Sequence, residues 1–156
     1  MTRDASTGKS SEVSIRLATP ADHLAWLDLW RGYQSFYKVD IDAATTAVTW
    51  QRLLDDAEPM WCAVAQVDGK PVGLVHYLFH RSCWAEADNC YLQDLFSDAA
   101  ARGKGVGTAL IAAVKDAAAK RGVTNVYWMT HETNATARKL YDKVARRTGF
   151  IEYDLM

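Results

Sequence analysis

Three glycines fall within six residues at Arg102–Gly107, "RGKGVG", between the strand-like "YLQDLFS" and the helix-like "TALIAAVKDAAAKRG". This turn constrains the fold more than any other stretch of the chain. Without side chains, Gly103, Gly105 and Gly107 let their backbone N–H groups point into one concavity. The helix that follows adds the positive end of its dipole. Val106, Leu110, Ile111, Val114 and Ala118 form an apolar stripe that anchors that helix to a sheet. Arg102 and Lys104 place positive charge at the mouth. A strand, an anion site and a helix therefore follow one another, as they do in a mixed α/β domain.

Spacing excludes two phosphate ligands. A dinucleotide turn needs Gly-x-Gly-x-x-Gly and an acidic residue about 20 positions on. Counted from Gly103, the third glycine position is Thr108, and "NVYWMT" itself carries no acid. A nucleotide phosphate loop needs Gly-Lys-Ser/Thr, which this turn lacks. "TGKSS" at Thr7–Ser11 has it but lacks the earlier glycine, because position 3 is Arg3. Coenzyme A pyrophosphate and a helix-start turn with no ligand both stay open on the residues alone.

The rest of the chain reads as β-α-α-β-β-β-α-β-α-β. "VSIRLA" alternates like a strand, and "TPADHLAWLDLWRGY" has Thr19 as a cap and Pro20 at the first helical position. A second helix is expected over Asp42–Asp56. "MWCAVAQV" and "PVGLVHYLFH" form a hairpin about Asp68-Gly69. "CYLQDLFS", "NVYWMT" and "GFIEYDL" are further strands, and "NATARKLYDKVA" is a helix. Residues 1–12 are expected to be a disordered leader and residues 13–156 one domain.

Composition closes off other classes. With 156 residues and 49% hydrophobic content, the chain can fill one core. A net charge of -1 leaves no electrostatic footprint for nucleic acid. No apolar run approaches a membrane span, and no secretory leader is visible. Cys62, Cys83 and Cys90 have no metal spacing and no complete disulfide pairing, so a reducing, cytoplasmic setting is expected. His76 and His80 stand about 13 Å apart on a strand, too far for one ion. No metal is expected.

"R-G-K-G-V-G" matches the Gln/Arg-x-x-Gly-x-Gly/Ala signature of the GNAT N-acetyltransferase superfamily. The same order of elements surrounds it, with "VYWMT", Asn134, Tyr141 and Gly149-Phe150 following in sequence. The resemblance covers roughly Val13 to Leu155. It is closest to the branch with histone/polyamine and D-amino-acid N-acetyltransferases, through "VYW-x-T-x-x-x-N" and "LYDKVA". "VGLVHYLF…YLQDLF" also resembles spermidine/spermine N-acetyltransferases. The resemblance implies a mixed, mostly antiparallel sheet of six to seven strands flanked by about four helices. It implies acetyl-coenzyme A as cosubstrate, held by Arg102, Gly103, Lys104, Gly105, Val106, Gly107 and Thr108.

The remaining roles follow from that resemblance. Leu95, Phe96 and Ser97 present backbone groups to the pantetheine amides, and an amide of this stretch donates to the developing oxyanion. Asn134 caps a helix and holds the pantetheine arm. Tyr141 matches the family's general acid, with packing beside Leu140 and Val144 as its other reading. "YLED" of polyamine enzymes is "YLQD" here. Gln93 has no useful basicity, so the base falls to Asp94, directly or through water; a strand-end polar group is the other reading. Tyr33 and Tyr37 (with Phe36) wall the amine site or pack a helix, and Gln93 and Asp94 border the acceptor. His131-Glu132 is a loop pair near the slot.

The expected reaction acetylates a primary amine of a small molecule, polyamine or amino-acid-like, by direct attack in a ternary complex. Acetylation of protein lysines or N-termini, and non-catalytic acyl-coenzyme A sensing, are the alternatives. A homodimer is expected, because "GFIEYDL" would otherwise leave an apolar sheet edge open.

Overall fold

Residues 12–156 are described by the computed structural model; the expected leader falls outside them except for Glu12. The chain runs β1 (Val13–Leu17), α1 (His23–Tyr37), α2 (Ala43–Leu54), β2 (Met60–Val67), β3 (Lys70–His80), β4 (Asn89–Ser97), α3 (Val106–Lys120), β5 (Val126–Tyr127) and α4 (Ala135–Val144). Short 3₁₀ turns at Pro20–Asp22 and Ala99–Ala101 lead into α1 and toward α3.

Strand order follows sequence order, β1-β2-β3-β4-β5. The first three pairings are antiparallel and the last is parallel. The β2–β3 hairpin closes at Asp68 and Gly69, whose φ values of 53° and 75° suit a two-residue turn that follows the strand twist.

Both faces of the sheet are covered, which is why β3 reads as a nearly continuous apolar run. Val75, Tyr77 and Phe79 face α3 and pack with Leu110, Val114 and Ala118. Leu74 faces the opposite way, into a cluster with Cys62, Val64, Trp26, Trp30 and Trp50. Asp22 fastens the entry to α1: its carboxylate accepts both Arg16 guanidinium bonds at 2.7 Å and the Thr19 N–H at 2.8 Å. The Arg16 hydrogen bond holds its carboxyl down at about 2. Asp42 caps α2 by accepting from the Thr45 N–H at 2.6 Å.

Two sequence expectations change. Among the described residues the sheet has five strands instead of six to seven, and "GFIEYDL" is not a strand. Residues 145–156 take no regular structure and lie exposed, with Phe150 at 82% and Tyr153 at 88% exposure. Alternation makes a strand only where a sheet edge accepts its hydrogen bonds, and no backbone bond joins this segment to another sheet element among the described residues. "NVYWMT" is likewise shorter than expected. It pairs with β4 only at Cys90↔Val126 and Tyr91↔Tyr127.

Candidate functional site

A bulge in β4 builds the first wall of the site. His76 pairs with Asp94 across β3 and β4, but the next pair is Tyr77 with Leu92, so Gln93 is the extra residue. An extra residue reverses the facing of everything beyond it and increases the local twist. Cys90 and Leu92 therefore face the α3 side, whereas Asp94 joins His76 on the α1 side. β5 pairs with the outer edge of β4 only at Cys90 and Tyr91, and along that edge Leu92–Ser97 have no strand partner among the described residues. This parting leaves a slot with backbone amides and carbonyls along one side. Thr130 lies beyond β5, and its Oγ1 is buried without a partner among the described residues.

Asp94 is 8% exposed, and its Oδ2 lies 3.0 Å from His76 Nδ1. Phenols surround it. Burial, followed by the charge of Asp94 and a hydrogen bond to it, pushes the Tyr33 phenol far up. Tyr37 and Tyr91 are raised by burial and then by the same carboxylate. Tyr33 stacks on Trp30 with centroids 4.9 Å apart, and Tyr37 sits 4.6 Å from Tyr33. The last turns of α1 thus place two un-ionised phenols beside one buried carboxylate. Gln93 is exposed at the bulge and takes no part in this group.

α4 supplies the opposite wall. Asn134 caps it, its Oδ1 accepting the Ala137 N–H at 3.4 Å, and its side chain also reaches Tyr37. Tyr141 lies two turns on, edge-to-face against Trp128 at 5.4 Å. Burial and then Tyr37 push its phenol up to about 12. Tyr37 therefore links the Asp94 end of the site to the Tyr141 end.

The glycine turn lies at the end of β4. Gly103 and Gly105 have φ of 80° and 77°, and a Cβ at either would meet nothing within 4 Å. Gly105 is the N-cap of α3. No acceptor is found among the described residues for the N–H groups of Gly103, Gly105, Val106, Gly107 and Thr108. Arg102 and Lys104 are exposed beside them. This open set of donors, at a helix start flanked by cations, fits a pyrophosphate. Gly107 has a second reason to lack a side chain: its Cβ would come within 3.0 Å of Leu140 on α4.

The expected residues thus gather at the carboxyl end of β4, with Gln93 turned to solvent. Leu95 and Phe96 send side chains into the two cores, and Ser97 ends the strand. His131 turns away to bond Thr133 Oγ1 at 2.7 Å, and the Glu132 carbonyl accepts from Arg138. Sequence reading missed His76, Trp26 and Tyr91. The β2–β3 turn fixes where β3 runs, but the bulge that sets His76 against Asp94 shows only in the pairing. No group of three or more His, Cys, Asp or Glu suited to a metal occurs among the described residues. A separate open cavity of about 500 Å³, at the other end of β4, is lined by Arg121, which lies over Trp61 and Phe79, and holds none of these groups.

Comparison with known proteins places this geometry. The model of the acetyltransferase (GNAT) family matches residues 25–145. The chain is 34% identical over 146 residues to the D-amino-acid N-acetyltransferase HPA3 of Saccharomyces cerevisiae, covering 92% of this chain and 91% of that one. It is 30% identical over 123 residues to the L-2,4-diaminobutyric acid acetyltransferase of Nocardia farcinica, covering 78% of this chain and 60% of that one. An aminoglycoside N-acetyltransferase solved in complex with CoA shares the fold, with a TM-score of 0.81 at 17% identity over 96% of this chain and 97% of that one. With a family match that spans the α1 wall, the bulged strand, the glycine turn and α4, this chain belongs to the GNAT acetyltransferase family and is an N-acetyltransferase.

Proposed function

We propose that the protein transfers acetyl from acetyl-coenzyme A to a primary amine of a small, amino-acid-like molecule, by direct attack in a ternary complex. The observation that carries this reading is the buried carboxylate of Asp94, ringed by the phenols of Tyr33, Tyr37 and Tyr91. One anion among aromatic faces suits one ammonium group. A long polyamine has several, and Gln93 adds no second charge. The relatives acting on D-amino acids and on diaminobutyric acid point the same way.

Bound acetyl-coenzyme A supplies an activated acetyl thioester and a thiolate leaving group. Gly103–Thr108 amides, with Arg102 and Lys104, hold its pyrophosphate. The unpaired edge of β4 at Leu95, Phe96 and Ser97 and the Asn134 side chain align its arm, and an amide on that edge donates to the oxygen where charge develops. Asp94 takes the proton of the incoming amine, so that a C–N bond can form as the C–S bond breaks. Tyr141 Oη, kept un-ionised by burial, which pushes it up to about 12, donates its proton to the departing sulfur. A base and an acid facing one slot favour turnover over mere sensing of the cofactor.

The residues around the C-terminal segment support a homodimer as the working unit. Phe150, Ile151, Tyr153 and Leu155 stand exposed beside a sheet that ends on the two-residue β5. A second copy is the occupant that would cover them.

An amine panel tests the acceptor assignment. D- and L-amino acids, diaminobutyric acid, spermidine, an aminoglycoside and a basic peptide are each incubated with acetyl-coenzyme A and scored for acetylated product by mass. Amino-acid-like amines are expected to lead. Fastest turnover of the peptide would move the assignment to proteins. Heat of coenzyme A binding without any product would make the chain a sensor.

A further inference from the structure

Three buried side chains from three elements form one hydrogen-bonded line, of which the reaction above uses only Asp94. Trp26 on α1 approaches His76 on β3 with Nε1 and Nε2 2.9 Å apart, and His76 Nδ1 lies 3.0 Å from Asp94 Oδ2 on β4. Trp26 is 0% and His76 is 3% exposed. An indole N–H can only donate, so His76 Nε2 must accept and the ring proton sits on Nδ1. That proton is then donated to Asp94 Oδ2. A second proton on Nε2 would set two N–H groups against each other in a site closed to water. The imidazole is also clamped by the Trp30 ring, edge-to-face at 4.9 Å.

The direction of these bonds has a consequence for Asp94. The His76 bond falls on Oδ2, so Oδ1 carries no bond to the imidazole, and the Tyr33 phenol also hydrogen-bonds this carboxylate. The other ionisable groups near the carboxylate are Tyr33 and Tyr37 on α1, Tyr91 on β4 and Cys62 on β2, the last a deeply buried thiol pushed far up by burial. None of them is a cation. His76, like the Tyr33 phenol, can fix the orientation of Asp94 without adding a permanent opposite charge, which would weaken it as a base, and His76 is itself held from behind by Trp26.

We propose that His76, locked by Trp26 as the Nδ1–H tautomer, is the positioning residue that holds Asp94 by Oδ2 so that Oδ1 receives the proton of the acceptor amine. The inference rests on the reading of Asp94 as the base of an amine acetyltransferase. The proton moves from the amine nitrogen to Oδ1, and His76 keeps its own.

Two measurements on the full chain test it. Long-range ¹H–¹⁵N NMR of histidine-labelled protein reads the tautomer: a protonated Nδ1 and a bare Nε2 are expected, with the Nε2 signal shifting in Trp26→Phe. A ring protonated on Nε2 overturns the proposal. Kinetics use acetyl-coenzyme A and the panel amine that turns over fastest. His76→Leu should lower kcat roughly 10²-fold, the scale of a misplaced reacting group, with KM for acetyl-coenzyme A unchanged. His76→Asn, whose amide N–H stands near the Nδ1 position, should recover roughly tenfold, the worth of a hydrogen bond to a charged group. His76→Gln should not. A folded His76→Leu with unchanged kcat, or equal losses in the Asn and Gln variants, overturns the proposal; that second comparison decides if His76→Leu does not fold. Wild-type protein inactive on every amine defeats the acetyltransferase reading, and this inference with it. An active wild type with either contrary result defeats this inference alone.

Discussion

Asp94 was visible in the sequence as a carboxylate at a strand end, and two readings of it were open, base or surface charge. The structure places it 8% exposed, against His76 and below the phenols of Tyr33 and Tyr37. A carboxylate buried without a cation is costly unless it is hydrogen-bonded, and here the imidazole and phenols meet that need. If Asp94 is the base, Asp94→Asn should depress kcat/KM most at neutral pH. The fraction of free amine rises with pH, so the deficit should shrink toward about pH 9–10, within roughly one and a half units below the value of an ordinary lysine-like amine. Initial rates across that range check this. A mutant profile parallel to the wild type would reduce Asp94 to a shaping role. His76 and Trp26 could not be read from local sequence, because they lie 18 and 68 residues away along the chain.

At the scale of elements, local signals were read best and pairing worst. The glycine turn, the hairpin at Asp68-Gly69 and the cap at Asn134 are each decided by a few adjacent residues, and all three sit where expected. The bulge at Gln93 is decided by how two strands register, and "CYLQDLFS" carries no local mark of it. "GFIEYDL" alternates correctly but finds no edge to join. The glycine turn allows a test that separates backbone strain from ligand loss. A Cβ at Gly105 meets open space, so Gly105→Ala bears only the cost of φ 77°, about 1–2 kcal/mol. Gly105→Asp adds a carboxylate facing the anion site. Calorimetry should find acetyl-coenzyme A binding modestly weakened in Gly105→Ala and lost in Gly105→Asp, with both variants folded. Equal affinities in the two would remove the pyrophosphate from this turn.

For the whole molecule, the order of elements up to α4 was legible because apolar periodicity reports burial directly. Association was legible only as a liability. Phe150, Ile151, Tyr153 and Leu155 are 82%, 74%, 88% and 101% exposed, a row of apolar side chains that a second copy would cover. Light scattering at micromolar concentration should give about twice 17.4 kDa, and removal of residues 150–156 should shift it to the single mass. A monomer at all concentrations, with full activity, would contradict this.

The central claim is that Asp94 and Tyr141 face one slot and act on one acetyl transfer. It is tested most directly by thiol release from acetyl-coenzyme A with a D-amino acid as acceptor, comparing wild type with Tyr141→Phe. Wild type should release thiol only when the amine is present. Since the Tyr141 phenol is pushed up to about 12, its proton should be available throughout neutral and mildly alkaline pH, and the rate should not fall there for want of the acid. Tyr141→Phe should lower kcat by roughly 10²–10⁴-fold while acetyl-coenzyme A binds as before. A Tyr141→Phe variant with the wild-type kcat would contradict the account.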